Sequence, residues 1–426
     1  MKKMAFSRRV LKQAAGWALS AMVLAVGFSG PVRQLGQLPD KITLTEGEAT
    51  RLEFMVPIGA EVQGAGAQVL SSLDEHLDEG GSQVELTAQS SGSAEVVLKL
   101  MGLPIKTVNV TVAPEKRVAP GGQSIGIALN MDGVLVVGAS DVGVQPSPAR
   151  MAGLRSGDLI VKVNGARIDS ADQLSQQIAR GNEAALEVMR AGKAVNVSID
   201  PVKDERDGAY RLGAWVRDST AGVGTLSFYD PETNCLAALG HAITDADTGT
   251  ILTVSVGDIY ESRVIGVMKG LEGEPGELLG DFIRDKAHMG AVSVNSVYGI
   301  YGKSDQAVVN PLYPNGVRLL SQEEVREGPA QLLTTLDEGG VKAYDCEISK
   351  CFAQNGAGQR GMIVKITDEA LLQATGGIVQ GMSGSPLIQN GALAGAVTHV
   401  FLNDPTQGYG MYAQWMIDEA AATDAA

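Results

Sequence analysis

The 426 residues carry 34 Lys and Arg against 49 Asp and Glu, a formal charge of −15. That balance excludes the basic face that a nucleic-acid partner requires. Aromatics at 4% beside 53 glycines suit short strands and tight turns rather than helical bundles, and the length is that of about three domains.

At the N-terminus, Lys2, Lys3, Arg8, Arg9 and Lys12 precede an apolar stretch from Ala14 to Phe28, closed by Ser29-Gly30-Pro31. Basic before apolar keeps the start of a chain in the cytoplasm and sends the rest out. Residues 1–31 therefore read as a signal or membrane-anchor segment, cleaved or retained, and the remainder as exported. Residues 32–113 follow as short alternating runs, "KITLTEGEATRLEFMV", "SQVELTAQS", "AEVVLKLMG" and "KTVNVTV", split by Gly and Ser turns. This is the pattern of a small β-sandwich that serves as a spacer. "APEKRVAPGG" reads as a linker.

Residues 122–202 hold a buried strand, "GVLVVGAS", then "SPARMAGLRSGDLIVKVNGARI" and a helix capped at Ser170 with Leu174 and Ile178 four apart. A hairpin turning at Ala191-Gly192 completes the segment. It resembles a PDZ domain, most specifically in Ala152-Gly153-Leu154-Arg155-Ser156-Gly157-Asp158 and Val163-Asn164-Gly165. The resemblance implies that peptide C-termini are received as an added strand. Ile125, Gly126 and Ile127 of "SIGIAL" would meet the carboxylate, and Ile127, Leu174 and Ile178 would line an apolar pocket.

Residues 213–417 contain "QGMSGSPLIQNG", which sets Ser383 between Gly381 and Gly384, directly before two apolar runs joined at Asn390-Gly391. Asn-Gly between apolar runs signals a hairpin. Glycines allow unusual backbone angles, so the amides of Gly381 and Ser383 can converge as an oxyanion hole. A serine needs a base. Three histidines stand in this segment. His241 ends "CLAALGH" before a polar loop and is favoured; His399 alternates within an apolar strand, as structural histidines do; His288 has no companion signal. There is no CxxC, HExxH or P-loop, and no GxGxxG opens the helix of the PDZ-like segment, so neither metal nor cofactor is expected. Cys346 and Cys351 are close enough in sequence to bridge, leaving Cys235 over; three reduced thiols are the other reading.

Gly381-Met382-Ser383-Gly384-Ser385-Pro386 looks like the nucleophile signature of chymotrypsin-like serine proteases, which implies a mainly β, double-barrel peptidase domain. The stretches "APGGQSIGIAL", "RDSTAGVGTLSFYDP", "ALGHAITDADTG", "GGIVQGMSGSPLIQNG" and "GAVTHVFLNDPTQGYG" resemble the stage IV sporulation protein B peptidases. By that resemblance the catalytic residues are His241 (base), Asp368 (orienting acid) and Ser383 (nucleophile). It also implies autocleavage near the N-terminus and a membrane-anchored substrate that regulates an intramembrane metalloprotease. Sigma-factor processing between forespore and mother-cell membranes is implied with them. Asp368 lies unusually close before Ser383 for a chymotrypsin-like acid, and "TDEALL" also reads as a capped helix. Asp245, Asp247 and Asp258 are rivals, and a dyad helped by a backbone carbonyl is another arrangement. Two other classes compete: an α/β-hydrolase using Ser383, Asp404 and His399, and a non-catalytic PDZ adaptor.

Overall fold

The computed structural model describes residues 40–424 apart from 48, 79–80, 114 and 283–287. The N-terminal segment 1–31 lies outside the described residues. Among those described, no helix is long and apolar enough to cross a membrane. The chain divides into two compact units, 1–116 and 117–426.

The first unit has a four-stranded sheet, in the order Lys41–Thr45, Leu103–Ala113, Gly92–Leu100, Ile58–Gln63. A three-stranded sheet, Ala49–Phe54, Gly81–Ala88, Leu70–Asp78, shares its core. Strict alternation in "GSQVELTA" sends Val84 and Leu86 inward, where both are fully buried. That period of two is what makes the segment a strand with one wet face.

The second unit is built around two long strands, Ser124–Ala139 and Ala214–Asp230, which pair with each other along most of their length. Their far halves close a six-stranded ring with Val254–Glu261, His288–Ser296, Gly299–Ser304 and Cys235–Ala238. Ile125, Ile127, Leu226, Leu236, Ile259 and Ile300 fill it. A second closed barrel follows: Gly328–Thr335, Val341–Cys351, Met362–Ile366, Asp404–Tyr412, Ala392–Phe401 and Pro386–Gln389. The architecture is thus mainly β, a double six-stranded barrel with a PDZ module, as chymotrypsin-like proteases have. An α/β-hydrolase, which needs a helix after its nucleophile, is excluded.

Between the two long strands lies the PDZ module, with strands Leu159–Val163, Ala184–Arg190 and Lys193–Ile199 and helices Pro148–Met151 and Ala171–Ile178. Ser170 caps the second helix by accepting the Gln173 amide, and Arg190 pairs with Lys193 across Ala191-Gly192. The sequence sets a PDZ domain at 122–202 before a peptidase domain at 213–417, and in the structure residues 124–131 of the first segment also serve as a strand of the first barrel. The PDZ module is inserted into the first barrel, because the strand that enters it has already paired with Val254–Glu261 and Ala214–Asp230.

Candidate active site

The Ser383 loop is shaped by two glycines in left-handed conformations, Gly381 at φ +92° and Gly384 at φ +94°. A Cβ on Gly384 would fall on the Thr225 carbonyl oxygen, so only glycine fits. Amides alternate in their use. Met382 N–H donates to Val379 O at 3.1 Å and Gly384 N–H to Val397 O at 2.7 Å. The amides of Gly381 and Ser383 donate to no described residue. Buried Thr225 clamps the same loop from behind: its hydroxyl donates to Gly381 O at 2.7 Å and its amide to Ser383 O at 3.1 Å. An alternation of held and open donors is what an oxyanion site requires.

His241 arrives on a strained turn. Leu239 has φ +69° and Gly240 φ +70°, and a Cβ on Gly240 would sit 2.8 Å from the Thr398 methyl. A non-glycine residue held there costs on the order of 1–3 kcal/mol, a strain that clusters at functional sites. The turn therefore rests on Thr398, whose carbonyl accepts the Ser383 hydroxyl at 3.0 Å. Both His241 and Ser383 line one cleft of about 840 Å³, together with Thr220–Val223, Gln380 and His399. His241 Nδ1 lies 2.8 Å from Ala242 O. A carbonyl can only accept, so Nδ1 carries the proton and Nε2 keeps its lone pair. Burial lowers the His241 pKa, against the opposing Ala242 bond, and keeps the imidazole neutral near pH 7. The ring of His399, which the sequence assigns a structural role, stands 5.2 Å from that of His241 on the cleft wall. Desolvation, His241 and Arg360 bring its pKa to about 4.

A second groove, of about 530 Å³, lies along helix Ala171–Ile178. Leu174 and Ile178 form one wall, and Tyr210, Leu212, Trp215 and Val216 another. The loop entering it is glycine-shaped: Gly213 has φ +63°, and its carbonyl accepts Ser140 N–H and the Ser147 hydroxyl. The amides of Leu212 and Gly213 donate to no described residue. Ile125, Gly126 and Ile127, expected to receive the peptide, do not reach this groove. Both edges of their strand are taken, by Gly222–Gly224 on one side and Ile259–Glu261 on the other. A Cβ on Gly126 would also run into the Phe282 ring. With its hydrogen bonds satisfied on both sides, that strand cannot accept another.

Residues 208–417 match the SpoIVB peptidase S55 family, and residues 123–200 match the PDZ domain. Residues 208–417 belong to that peptidase family. The chain thus joins a PDZ module to a domain of a serine peptidase family. It is also 34% identical over 100 residues to a protein named as a zinc metalloprotease, LL2128, of Lactococcus lactis subsp. lactis (strain IL1403). That match takes in 23% of this chain and 22% of the relative, so the chain spans about a fifth of that protein's length. Among solved structures, it is similar to the PDZ domain of the SdrC-like protein Lmo2051 of Listeria monocytogenes: 23% identity, TM-score 0.18, 20% of this chain and 90% of that one. It is likewise similar to the active form of the Rv3671c protease of M. tuberculosis: 15% identity, TM-score 0.28, 49% and 75% of the two chains.

In this SpoIVB-type peptidase the expected acid is occupied elsewhere. Asp368 is the N-cap of helix Glu369–Thr375: one carboxylate oxygen accepts Leu371 N–H at 2.9 Å and the other Asp345 N–H at 3.4 Å. Neither oxygen bonds to His241, and among the described residues no Asp or Glu lines the cleft. The rivals are likewise engaged. Asp245 is buried against Arg217, Asp247 pairs with Arg217 at 2.8 Å, and Asp258 meets His288 Nε2 at 3.1 Å. Asp404 holds Thr406 and Gln407 rather than His399. What the ring of His241 does have is the Ala242 carbonyl. None of the three cysteines is in a disulfide, and Cys235 and Cys346 are buried. Among the described residues no cluster of ligating side chains could hold a metal.

Proposed function

We propose that Ser383 is the nucleophile and His241 the general base of a dyad in which the Ala242 carbonyl fixes the imidazole tautomer. The open amides of Gly381 and Ser383 then receive the oxyanion of the tetrahedral intermediate. The alternation of held and open amides around Ser383 is the observation that carries this reading. In the arrangement described, the Ser383 hydroxyl is bonded to Thr398 and not to His241. Attack requires it to swing from that carbonyl to Nε2, which then takes its proton and returns it to the leaving amine. No step uses a cofactor.

The substrate reading rests on the sequence and on the family. An exported chain with a basic-then-apolar leader would be held at the membrane and meet partners held there too. The groove between Leu174, Ile178 and Trp215 would take their C-terminal residues as an added strand beside Ala214–Val216. The physiological substrate is then a membrane-anchored regulator of an intramembrane metalloprotease. Its cleavage, with autocleavage, would serve sigma-factor processing between the membranes of a forming endospore. Treatment of the purified chain with a fluorophosphonate, followed by peptide mapping, tests the chemistry. The adduct is expected on Ser383 alone and absent from Ser383→Ala; an adduct on Ser385 or on no serine would overturn the assignment.

A further inference from the structure

One end of the N-terminal unit differs from the other. Strands Gly92–Leu100 and Leu103–Ala113 meet in a tight turn, with Leu100 opposite Leu103 and left-handed backbone at Met101 (φ +50°) and Gly102 (φ +81°). The side chains there face water: Met101 is 88% exposed, Leu103 70% and Ile105 39%. Met55, 64% exposed, is at the same end, because it closely precedes Ile58, which pairs with Leu100. Turns at the opposite end present Glu46, Gly47, Ser90 and Ser91. Large apolar side chains gathered at a single end of a small sandwich are unfavourable in water and mark a surface that something covers.

The path of the chain says what covers it. Strand Lys41–Thr45 runs parallel to Leu103–Ala113, with Lys41 beside Asn109, so it points away from the apolar turn. Asp40 is tied to the same strand nearer that turn, accepting Asn109 N–H and pairing with Lys106 at 3.0 Å. The chain therefore enters the unit from the side of the apolar turn. Residues 29–40 alone separate that point from the apolar stretch Ala14–Phe28. Fully extended, such a segment spans at most about 40 Å. The six positions from Asn109 back to Leu103 measure only about 20 Å. The cations nearest the turn are already neutralised, Lys106 by Asp40 and Lys99 by Glu61, so contact there would come from apolar burial rather than from attraction to anionic headgroups.

We infer that the Met101–Ile105 turn, with Met55, is a membrane-contacting tip that seats in the bilayer surface holding the N-terminal segment. The inference rests on the membrane attachment proposed above and adds a second, β-turn contact to it. Such a contact sets the orientation of the N-terminal unit on the lipid, since a single flexible tether fixes only distance.

The test uses the full chain, reconstituted into phosphatidylcholine vesicles with and without brominated acyl chains. An environment-sensitive fluorophore is placed at Leu103→Cys or, at the opposite end, at Ser91→Cys, each in a Cys351→Ser background. Bromination is expected to reduce emission at position 103 by roughly half, the behaviour of a side chain about 5–10 Å into the headgroup–acyl boundary, and to leave position 91 unchanged. Vesicles that float with the protein but show no quenching at 103 would overturn the tip while leaving attachment intact. Equal quenching at both positions would overturn it too, as would protection of 103 by a second copy of the chain, seen as emission that depends on protein concentration and not on bromine. Failure of the chain to float at all would remove the attachment reading and the tip with it.

Discussion

The loop at Gly381–Gly384 and the loop at Tyr210–Gly213 use one device for different purposes. Each contains a glycine in a left-handed conformation packed against a carbonyl oxygen, Gly384 against Thr225 and Gly213 against Ser140. In each, neighbouring groups are bonded while two amides stay open. The first cradle faces Ser383 and His241; the second faces the groove along helix Ala171–Ile178, which holds neither. An oxyanion that forms for an instant and a carboxylate that stays bound are both met by converging N–H groups. Strand Ala214–Asp230 passes both places: Ala214–Val216 borders the groove, Thr220–Val223 lines the cleft, and Thr225 holds the Ser383 loop.

The largest effects should come from the glycines that make the two cradles. Gly384→Ala puts a methyl onto the Thr225 carbonyl and strains the loop, so peptidase turnover should fall by about 100-fold or more, the loss typical of a spoiled oxyanion site. Gly213→Ala meets the Ser140 carbonyl at 2.6 Å. It should weaken binding of a C-terminal peptide by about tenfold, near 1.4 kcal/mol, and leave fluorophosphonate labelling of Ser383 unchanged. Calorimetric titration with the peptide and a labelling time course separate the two. If Gly213→Ala abolished labelling, the cradles would not be independent.

Thr225→Val is next in size. It removes the hydroxyl that satisfies Gly381 O but keeps the amide bond to Ser383 O. Leaving a buried carbonyl unpaired costs about 1–3 kcal/mol, so kcat should drop by about tenfold with little change in KM. Loss in KM alone would mean that the clamp serves substrate binding rather than the oxyanion.

Smallest of all should be Asp368→Asn. Asn and Asp cap helices about equally well, so helix Glu369–Thr375 keeps its N-cap, and turnover should stay within about twofold. A triad acid would instead lose about 10⁴-fold on this change. That outcome would mean that the working enzyme rearranges to bring Asp368 to His241.

Local patterns in the sequence carry the Ser383 loop and its hairpin. Glycines on both sides of Ser383 and Asn390-Gly391, with φ of +51° and +76°, act within a few residues. The β-rich spacer and the Ser170-capped helix are legible for the same reason. The peptide groove was not, because "SIGIAL" and "RLGAWV" look alike as short runs and only long-range pairing decides which keeps a free edge. The alternation of His399 with Val397 and Phe401 gives the face of a strand and not what that face looks onto, so its place on the cleft wall is not legible from the period. Asp368 carried two readings, cap and acid. The cap is local and was visible in "TDEALL", whereas the acid depended on a barrel geometry that no short stretch encodes.

The central claim is that His241, neutral and held by Ala242, activates Ser383. The rate of fluorophosphonate acylation of Ser383 against pH measures it directly. The base works only when unprotonated, and burial depresses its pKa, so the rate should fall on acidification with a midpoint below the ordinary histidine value of 6.5. It should be flat above neutrality until other groups titrate. His241→Ala should remove this limb and most of the rate, while His399→Ala should retain the limb. A rate in His241→Ala equal to that of the unmodified chain, with the same pH midpoint, would contradict the account.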